Sequence, residues 1–221
     1  DDLDRLLDGL GLTENLTLVL HDWGGMIGMA WASRHPERVR RLVVLNTAAF
    51  LNPKGAALPW QLKLGRDSRL GALLIRGFNA FALGASALGC RRRPMSREVR
   101  AAYLAPYGSW ADRIATLRFV QDIPLVPGDR SYALVRQVDE GLHRFRGVPM
   151  MIGWGGKDFV FDGRFLDEWL RRFPEAEVHR FPDAGHYVAE DAGPELAVLI
   201  GGFLKAHPLD GRAPASAGGR P

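Results

Sequence analysis

Leu16 to Val39 read LTLVLHDWGGMIGMAWASRHPERV. The first five residues are a short apolar run, which suits a buried strand. A polar corner follows, His21-Asp22, and then Trp23, Gly24 and Gly25. From Met26 to Ser33 the residues are apolar, with Gly28, Ala30 and Ala32 small enough for a helix to pack closely on a sheet. His35-Pro36 ends that helix. Arg41 to Leu45, RLVVL, is a second strand whose apolar residues are contiguous. Continuous apolar strands separated by helices indicate a parallel sheet covered on both faces.

Outward from this unit, the N-terminal DDLDRLLDGLGL places Leu3, Leu6, Leu7 and Leu10 at helical spacing. After Thr47 the strand–helix rhythm stops. Helical segments, Pro and Gly breaks and many aromatics, among them Phe50, Trp60, Phe78, Phe81 and Phe119, run on to about Phe145. The rhythm then resumes. VPMMI (148–152) reads as a strand, and 163–173 as a helix with Phe165, Leu166, Trp169 and Leu170 on one face. Residues 177–181 alternate as a strand, and 196–204 form a last helix. The expected division is 1–46 as a first core part, 47–145 as a helical lid and 146–206 as a second core part. The Pro/Gly/Ala-rich 207–221 reads as a disordered tail.

The 221 residues are 47% hydrophobic and 24% charged, an ordinary globular balance that can bury a sizeable core. The net charge of +4 raises anionic partners, but much of the excess sits in Arg91, Arg92, Arg93, Arg97 and Arg100. That patch lacks interleaved aromatics and any nucleic-acid motif, so it reads as a solvated surface loop and no nucleic acid is expected. One cysteine, Cys90, excludes an intramolecular disulfide and suits a reducing cytoplasm. The most apolar run, Leu70 to Gly89, holds Arg76 and four glycines; it reads as buried helices, not as a transmembrane segment. No cofactor and no metal ion is expected.

Three strand ends carry reactive side chains, where open α/β sheets place their sites. Asp22 lies between a strand and a helix. It suits either a helix N-cap or a nucleophile on a sharp elbow backed by a helix N-terminus. Asp158 follows VPMMI in the glycine-rich GWGGKD, a setting that also suits ordinary turn chemistry. Asp162 competes with it as an acid but is placed to cap the helix starting at Gly163. His186 follows the last strand in FPDAGHYVAED. His21 precedes the elbow, and strand alternation points it away from Asp22. Nucleophile, acid and histidine in that chain order match the α/β-hydrolase arrangement.

From Asp1 to Ala206 the chain resembles the aspartate-nucleophile branch of the α/β-hydrolase superfamily, which includes haloalkane dehalogenases and soluble epoxide hydrolases. HDWGG and DAGHYVAED carry the resemblance. RLVVLNTAAF, RGFNAFALGAS and APYGSWADRIATLRFVQDIPLVP are most similar to the β-lactone decarboxylases of bacterial long-chain olefin biosynthesis. The resemblance implies an α/β-hydrolase fold with an inserted helical lid. Asp22 is then the nucleophile, Asp158 the acid, His186 the histidine, and Trp23 a donor to the leaving group. Carboxylate attack on saturated carbon gives an ester in which the enzyme supplies the acyl half. Phe50, Trp60, Phe78 and Phe81 are expected to line a site for a greasy small molecule. Tyr103 and Tyr107 are candidates by type for the two lid tyrosines that epoxide hydrolases use as acids, but YLAPY is more similar to the dehalogenase-type lid. Assembly with ligase-type and reductase-type enzymes of olefin synthesis is also implied. The family fold has four strands and a helix before the nucleophile strand. The sequence is therefore expected to be an N-terminally truncated fragment, unstable and inactive alone, with LTLVL as an exposed sheet edge.

Overall fold

In the computed structural model, which describes residues 2–209, four parallel strands form one sheet in the order β1-β2-β3-β4. They are β1 (Leu16–Asp22), β2 (Val39–Thr47), β3 (Met150–Gly155) and β4 (Glu177–Phe181). Helix α1 (Asp2–Gly9) precedes β1, and α2 (Trp23–Ala32) joins β1 to β2. Six helices lie between β2 and β3: α3 (Trp60–Asp67), α4 (Arg69–Phe78), α5 (Ala80–Leu88), α6 (Arg97–Leu104), α7 (Ile114–Gln121) and α8 (Tyr132–Gly141). Helix α9 (Gly163–Arg172) links β3 to β4, and α10 (Val188–Asp191) and α11 (Gly193–Ala206) follow β4.

The contiguous apolar strands have the expected cause, since both faces of β2 and β3 are covered. Leu42, Val44, Met150, Ile152 and Trp154 pack with Met29 and Trp31 of α2 and Phe165, Leu166 and Trp169 of α9. The alternate residues Val43, Leu45 and Met151 pack under Leu196 and Phe203 of α11. Strand β3 runs three residues past the expected Ile152, because Gly153, Trp154 and Gly155 still pair with His179, Arg180 and Phe181. A side chain at Gly153 would meet Leu196 at 2.8 Å, so the glycine permits that layer to close. Strand β1 pairs only with β2 among the described strands, and Val19 is 55% exposed. LTLVL is thus an edge of the sheet among the described residues.

The elbow helix lies unusually close to β2. A Cβ at Gly25 would fall 2.0 Å from the Thr47 hydroxyl oxygen and 2.5 Å from the Ala48 carbonyl oxygen. Helix α9 is capped by Asp162, whose carboxylate accepts from the Arg164 N–H at 3.0 Å. Its Trp169 indole donates to the Thr47 carbonyl at 2.8 Å, tying the helix to the end of β2.

Helices α4 and α5 turn by 77° at Asn79, which adopts a left-handed conformation. No single helix among the described residues is long and apolar enough to cross a membrane. His207, read as the start of a disordered tail, is instead held against the core. The Arg41 guanidinium donates to the His207 carbonyl at 2.7 Å, and the His207 ring packs on Phe203. Residues 210–221 of that tail lie outside the described residues.

Candidate active site

Asp22 ends β1 and immediately precedes α2, at φ 50° and ψ −128°. A non-glycine residue at positive φ is held there only by its surroundings. The Thr47 hydroxyl donates to the Asp22 carbonyl and is one such restraint. The Asp22 carboxylate makes no capping bond to α2, so the N-cap alternative does not describe it. It faces a cavity instead.

His186 stands between two carboxylates. Its Nδ1 is 2.9 Å from Asp158 Oδ2, and its Nε2 is 3.8 Å from Asp22 Oδ1. Asp158 is fully enclosed and saturated with donors. Its Oδ1 accepts from the N–H groups of Val160 (2.7 Å) and Phe161 (3.1 Å), and its Oδ2 accepts also from Asn46 Nδ2 at 2.9 Å. Burial of the His186 ring opposes its charged form. The hydrogen bond that His186 donates to Asp158 and the charges of Asp158 and Asp22 outweigh burial and raise the pKa. Asp162, the rival acid, pairs with Arg164 and caps α9 rather than meeting His186.

Three residues to which the sequence assigned no part in the site hold this arrangement. Asn46, wholly buried at φ 34°, accepts from the Gly155 N–H at 2.7 Å and donates to the Gly155 carbonyl and to Asp158. Only its position at the end of β2, within the quoted RLVVLNTAAF, could have signalled it. His21 does alternate away from Asp22, but that places it beneath His186. Its Nε2 is 2.8 Å from the His186 carbonyl, and the two rings are 4.9 Å apart. Burial, and then the neighbouring His186 charge, lower its pKa, so the neutral ring donates to that carbonyl. Asp191 is the third. Its buried carboxylate accepts from the backbone N–H groups of Gly185 (2.7 Å), Arg91 (2.7 Å) and Arg92 (3.1 Å). It thereby joins the loop carrying His186 to the loop after α5.

That second loop corrects the reading of the arginine patch as wholly solvated. Arg92 pairs with Asp183 at 3.0 Å and with Glu195 at 2.6 Å. The Tyr187 N–H donates to the Gly89 carbonyl at 3.0 Å, where a Cβ at position 89 would meet the Tyr187 ring at 2.3 Å. Arg91, Arg93, Arg97 and Arg100 remain exposed, as expected. Tyr103 donates to Glu190 at 2.8 Å and does not line the cavity, whereas Tyr107 does.

The cavity in front of Asp22 and His186 has a volume of about 640 Å³. Trp23 lines it beside Asp22, with its ring packed 5.5 Å from that of Phe119. Leu58, Leu74, Ile75 and Val120 supply further apolar wall. Of the four aromatics expected to contact substrate, Trp60 and Phe81 line it. Phe50 does not. It is 0% exposed in the core, edge-on to Trp169 at 5.3 Å and beneath the Arg172 guanidinium. Phe78 does not either, because it ends α4 on the outer surface, 66% exposed. Among the described residues no group of three His, Cys, Asp or Glu side chains could hold a metal ion.

The fold and the sequence have known relatives. The family profile described as the alpha/beta hydrolase fold matches residues 1–192. A cis-3-alkyl-4-alkyloxetan-2-one decarboxylase of Shewanella oneidensis is 55% identical over 204 residues, 92% of this chain. The chain spans 64% of that relative's length. The protein of the same name from Xanthomonas campestris is 51% identical over 209 residues, covering 95% of this chain and 69% of its own. A haloalkane dehalogenase of Mycolicibacterium smegmatis is 34% identical over 134 residues, 57% of this chain and 41% of its own. Among solved structures, the haloalkane dehalogenase DatA of Agrobacterium tumefaciens superposes with a TM-score of 0.81 at 22% identity, covering 93% of this chain and 71% of that one. The strand-end Asp22, Asp158 and His186, the parallel sheet and these likenesses converge: the chain belongs to the alpha/beta hydrolase fold family.

Proposed function

We propose that the chain carries the catalytic centre of a β-lactone decarboxylase, converting a cis-oxetan-2-one with two alkyl substituents into an alkene and carbon dioxide. The observation that carries this reading is a free carboxylate, Asp22, set on an elbow before an apolar cavity with a carboxylate-backed histidine 3.8 Å behind it. The 55% and 51% identity to proteins named for that reaction supports the substrate class.

Asp22 attacks the ring carbon that bears the lactone oxygen. That carbon–oxygen bond breaks, and the ring oxygen leaves as part of a carboxylate. Trp23 lies beside Asp22 to donate to the departing anion. The bond to the new carboxylate then breaks, its electron pair forms the alkene, and the ester bond to Asp22 opens. Asp22 regains its charge, and neither water nor a proton is consumed. His186, with its raised pKa, supplies positive charge beside the returning carboxylate, and Asp158 orients and balances it. Alkyl chains gain roughly 0.8 kcal/mol per buried methylene in such a lining.

A second reading, haloalkane dehalogenase, rests on the same carboxylate and on the 34% identical relative. There His186 would activate water to cleave the ester. Incubation with a cis-β-lactone, a 1-haloalkane and an epoxide separates the readings. A cis-alkene is expected from the first, with loss in Asp22→Asn. A β-hydroxy acid as sole lactone product would overturn the decarboxylase reading. The same reading implies a cytoplasmic enzyme working beside ligase-type and reductase-type enzymes of olefin synthesis, testable by co-elution of the tagged proteins.

A further inference from the structure

We propose that the outer face of the helices walling the cavity docks on an anionic lipid surface, from which the apolar substrate enters. The exchange of substrate rests on the function proposed above; the docking does not.

The face is built from α4 and the turn before α7. Leu70 and Leu73 share one side of α4, and Phe78 ends it; all are exposed. Trp110 lies beside α4, its ring 3.7 Å from where a Cβ on Gly77 would stand and its centre 4.3 Å from the Arg76 guanidinium. Arg113 donates to the Arg76 and Gly77 carbonyls and holds the turn in place. Aromatic and arginine side chains together suit the boundary between headgroups and acyl chains.

The net charge of this region is strongly positive. Residues 60–113 hold ten Lys and Arg against three Asp and Glu, a balance of +7, whereas the whole chain carries +4. The rest of the chain carries a net −3, so the excess of positive charge is confined to the part that bears the apolar face. Lys63, Arg69, Arg91, Arg93 and Arg97 form no ion pair with a carboxylate among the described residues. Each cation near an anionic leaflet adds about 1 kcal/mol of attraction, roughly a fivefold gain in binding.

The cavity opens in the same region. Trp60, Leu88 and Phe119 are exposed yet line it, which marks its mouth. Arg91 sits 5.9 Å from the ring of Phe159, another lining residue. The inner side of α4, through Leu74 and Ile75, walls the cavity that its outer side shields.

The test is flotation of the protein with phosphatidylcholine vesicles, with and without phosphatidylglycerol. Binding is expected only with phosphatidylglycerol, and to fall steeply in about 1 M salt, where charges are screened beyond about 3 Å. Leu73→Asp and Phe78→Asp should each weaken it more than roughly tenfold, and Arg93→Glu at least about fivefold. Neither Leu73 nor Phe78 lines the cavity, so the melting midpoint and turnover of a short, water-soluble β-lactone should not change. If an aspartate variant fails to fold, Phe78→Ser carries the test. Three results would overturn the proposal: no binding to phosphatidylglycerol vesicles at low salt, binding indifferent to these variants, or lipid-free self-association abolished by them. Flotation needs no turnover, so it stands or falls apart from the proposed reaction.

Discussion

Asp191→Asn should damage this protein more than a one-atom change suggests. In the native site one carboxylate oxygen accepts from Gly185 and Arg91, both at 2.7 Å, and the other from Arg92 at 3.1 Å. Hydrogen bonds to a charged acceptor contribute about 1.5–3 kcal/mol each, and neutral ones about 1 kcal/mol. An asparagine oxygen can keep two of the three bonds in weaker, neutral form. Its amide nitrogen then faces the third N–H with no acceptor, costing about 1–3 kcal/mol. The sum is about 3 kcal/mol or more, which lowers the melting midpoint by about 6–12 °C in a chain of this size. Thermal and urea melts measure the loss. Amide exchange locates it: the N–H groups of Gly185, Arg91 and Arg92 should lose protection together. Because Gly185 precedes His186, kcat should fall more than KM rises. A variant within about 0.5 kcal/mol of the parent, with those amides still protected, would refute the role given to Asp191.

Asn46→Leu strands the Gly155 N–H and removes a donor from Asp158, so it should cost about 2–4 kcal/mol in denaturant melts and slow turnover. Phe50→Ala should cost about 3–5 kcal/mol with KM unchanged, whereas Phe81→Ala should raise KM for long chains at a much smaller stability cost. The two histidines should shift stability in opposite directions with pH. The raised pKa of His186 means its stabilisation is complete below about pH 6.5 and is lost as pH rises through the folded value. The lowered pKa of His21 gives stabilisation present above about pH 6.5 and lost as pH falls towards its folded value. Denaturation of His186→Gln and His21→Gln beside the parent, from about pH 5 to about pH 8, should show differences of opposite slope.

How much of this was legible in the sequence depended on whether a residue's role was local. The strands of the sheet show themselves by apolar runs, because burial on both faces leaves no polar alternation in β2 and β3. Asp22, Asp158 and His186 stand out because each sits at a strand end with glycines beside it. Asn46 and Asp191 do not, because Asp158 lies 112 residues from Asn46 and Arg91 and Arg92 about 100 from Asp191, and no spacing rule connects them; only Gly185, six residues from Asp191, is local. His21 was legible only by half: alternation gave its direction but not the His186 ring packed against it. Phe50 and Phe81 are the same residue type in the same aromatic-rich stretch. Phe50 follows β2 into the core, whereas Phe81 sits on α5 facing the cavity. Composition alone cannot separate those two fates.

The most direct test of the carboxylate chemistry is oxygen labelling of Asp22 during turnover of a cis-β-lactone in H₂¹⁸O, read by mass spectrometry of the peptide containing it. Elimination opens the ester on the alkyl side. Asp22 should therefore keep its original oxygens through many turnovers while cis-alkene and carbon dioxide accumulate. ¹⁸O in the Asp22 carboxylate with a β-hydroxy acid as product would show that water ends the ester, contradicting decarboxylation.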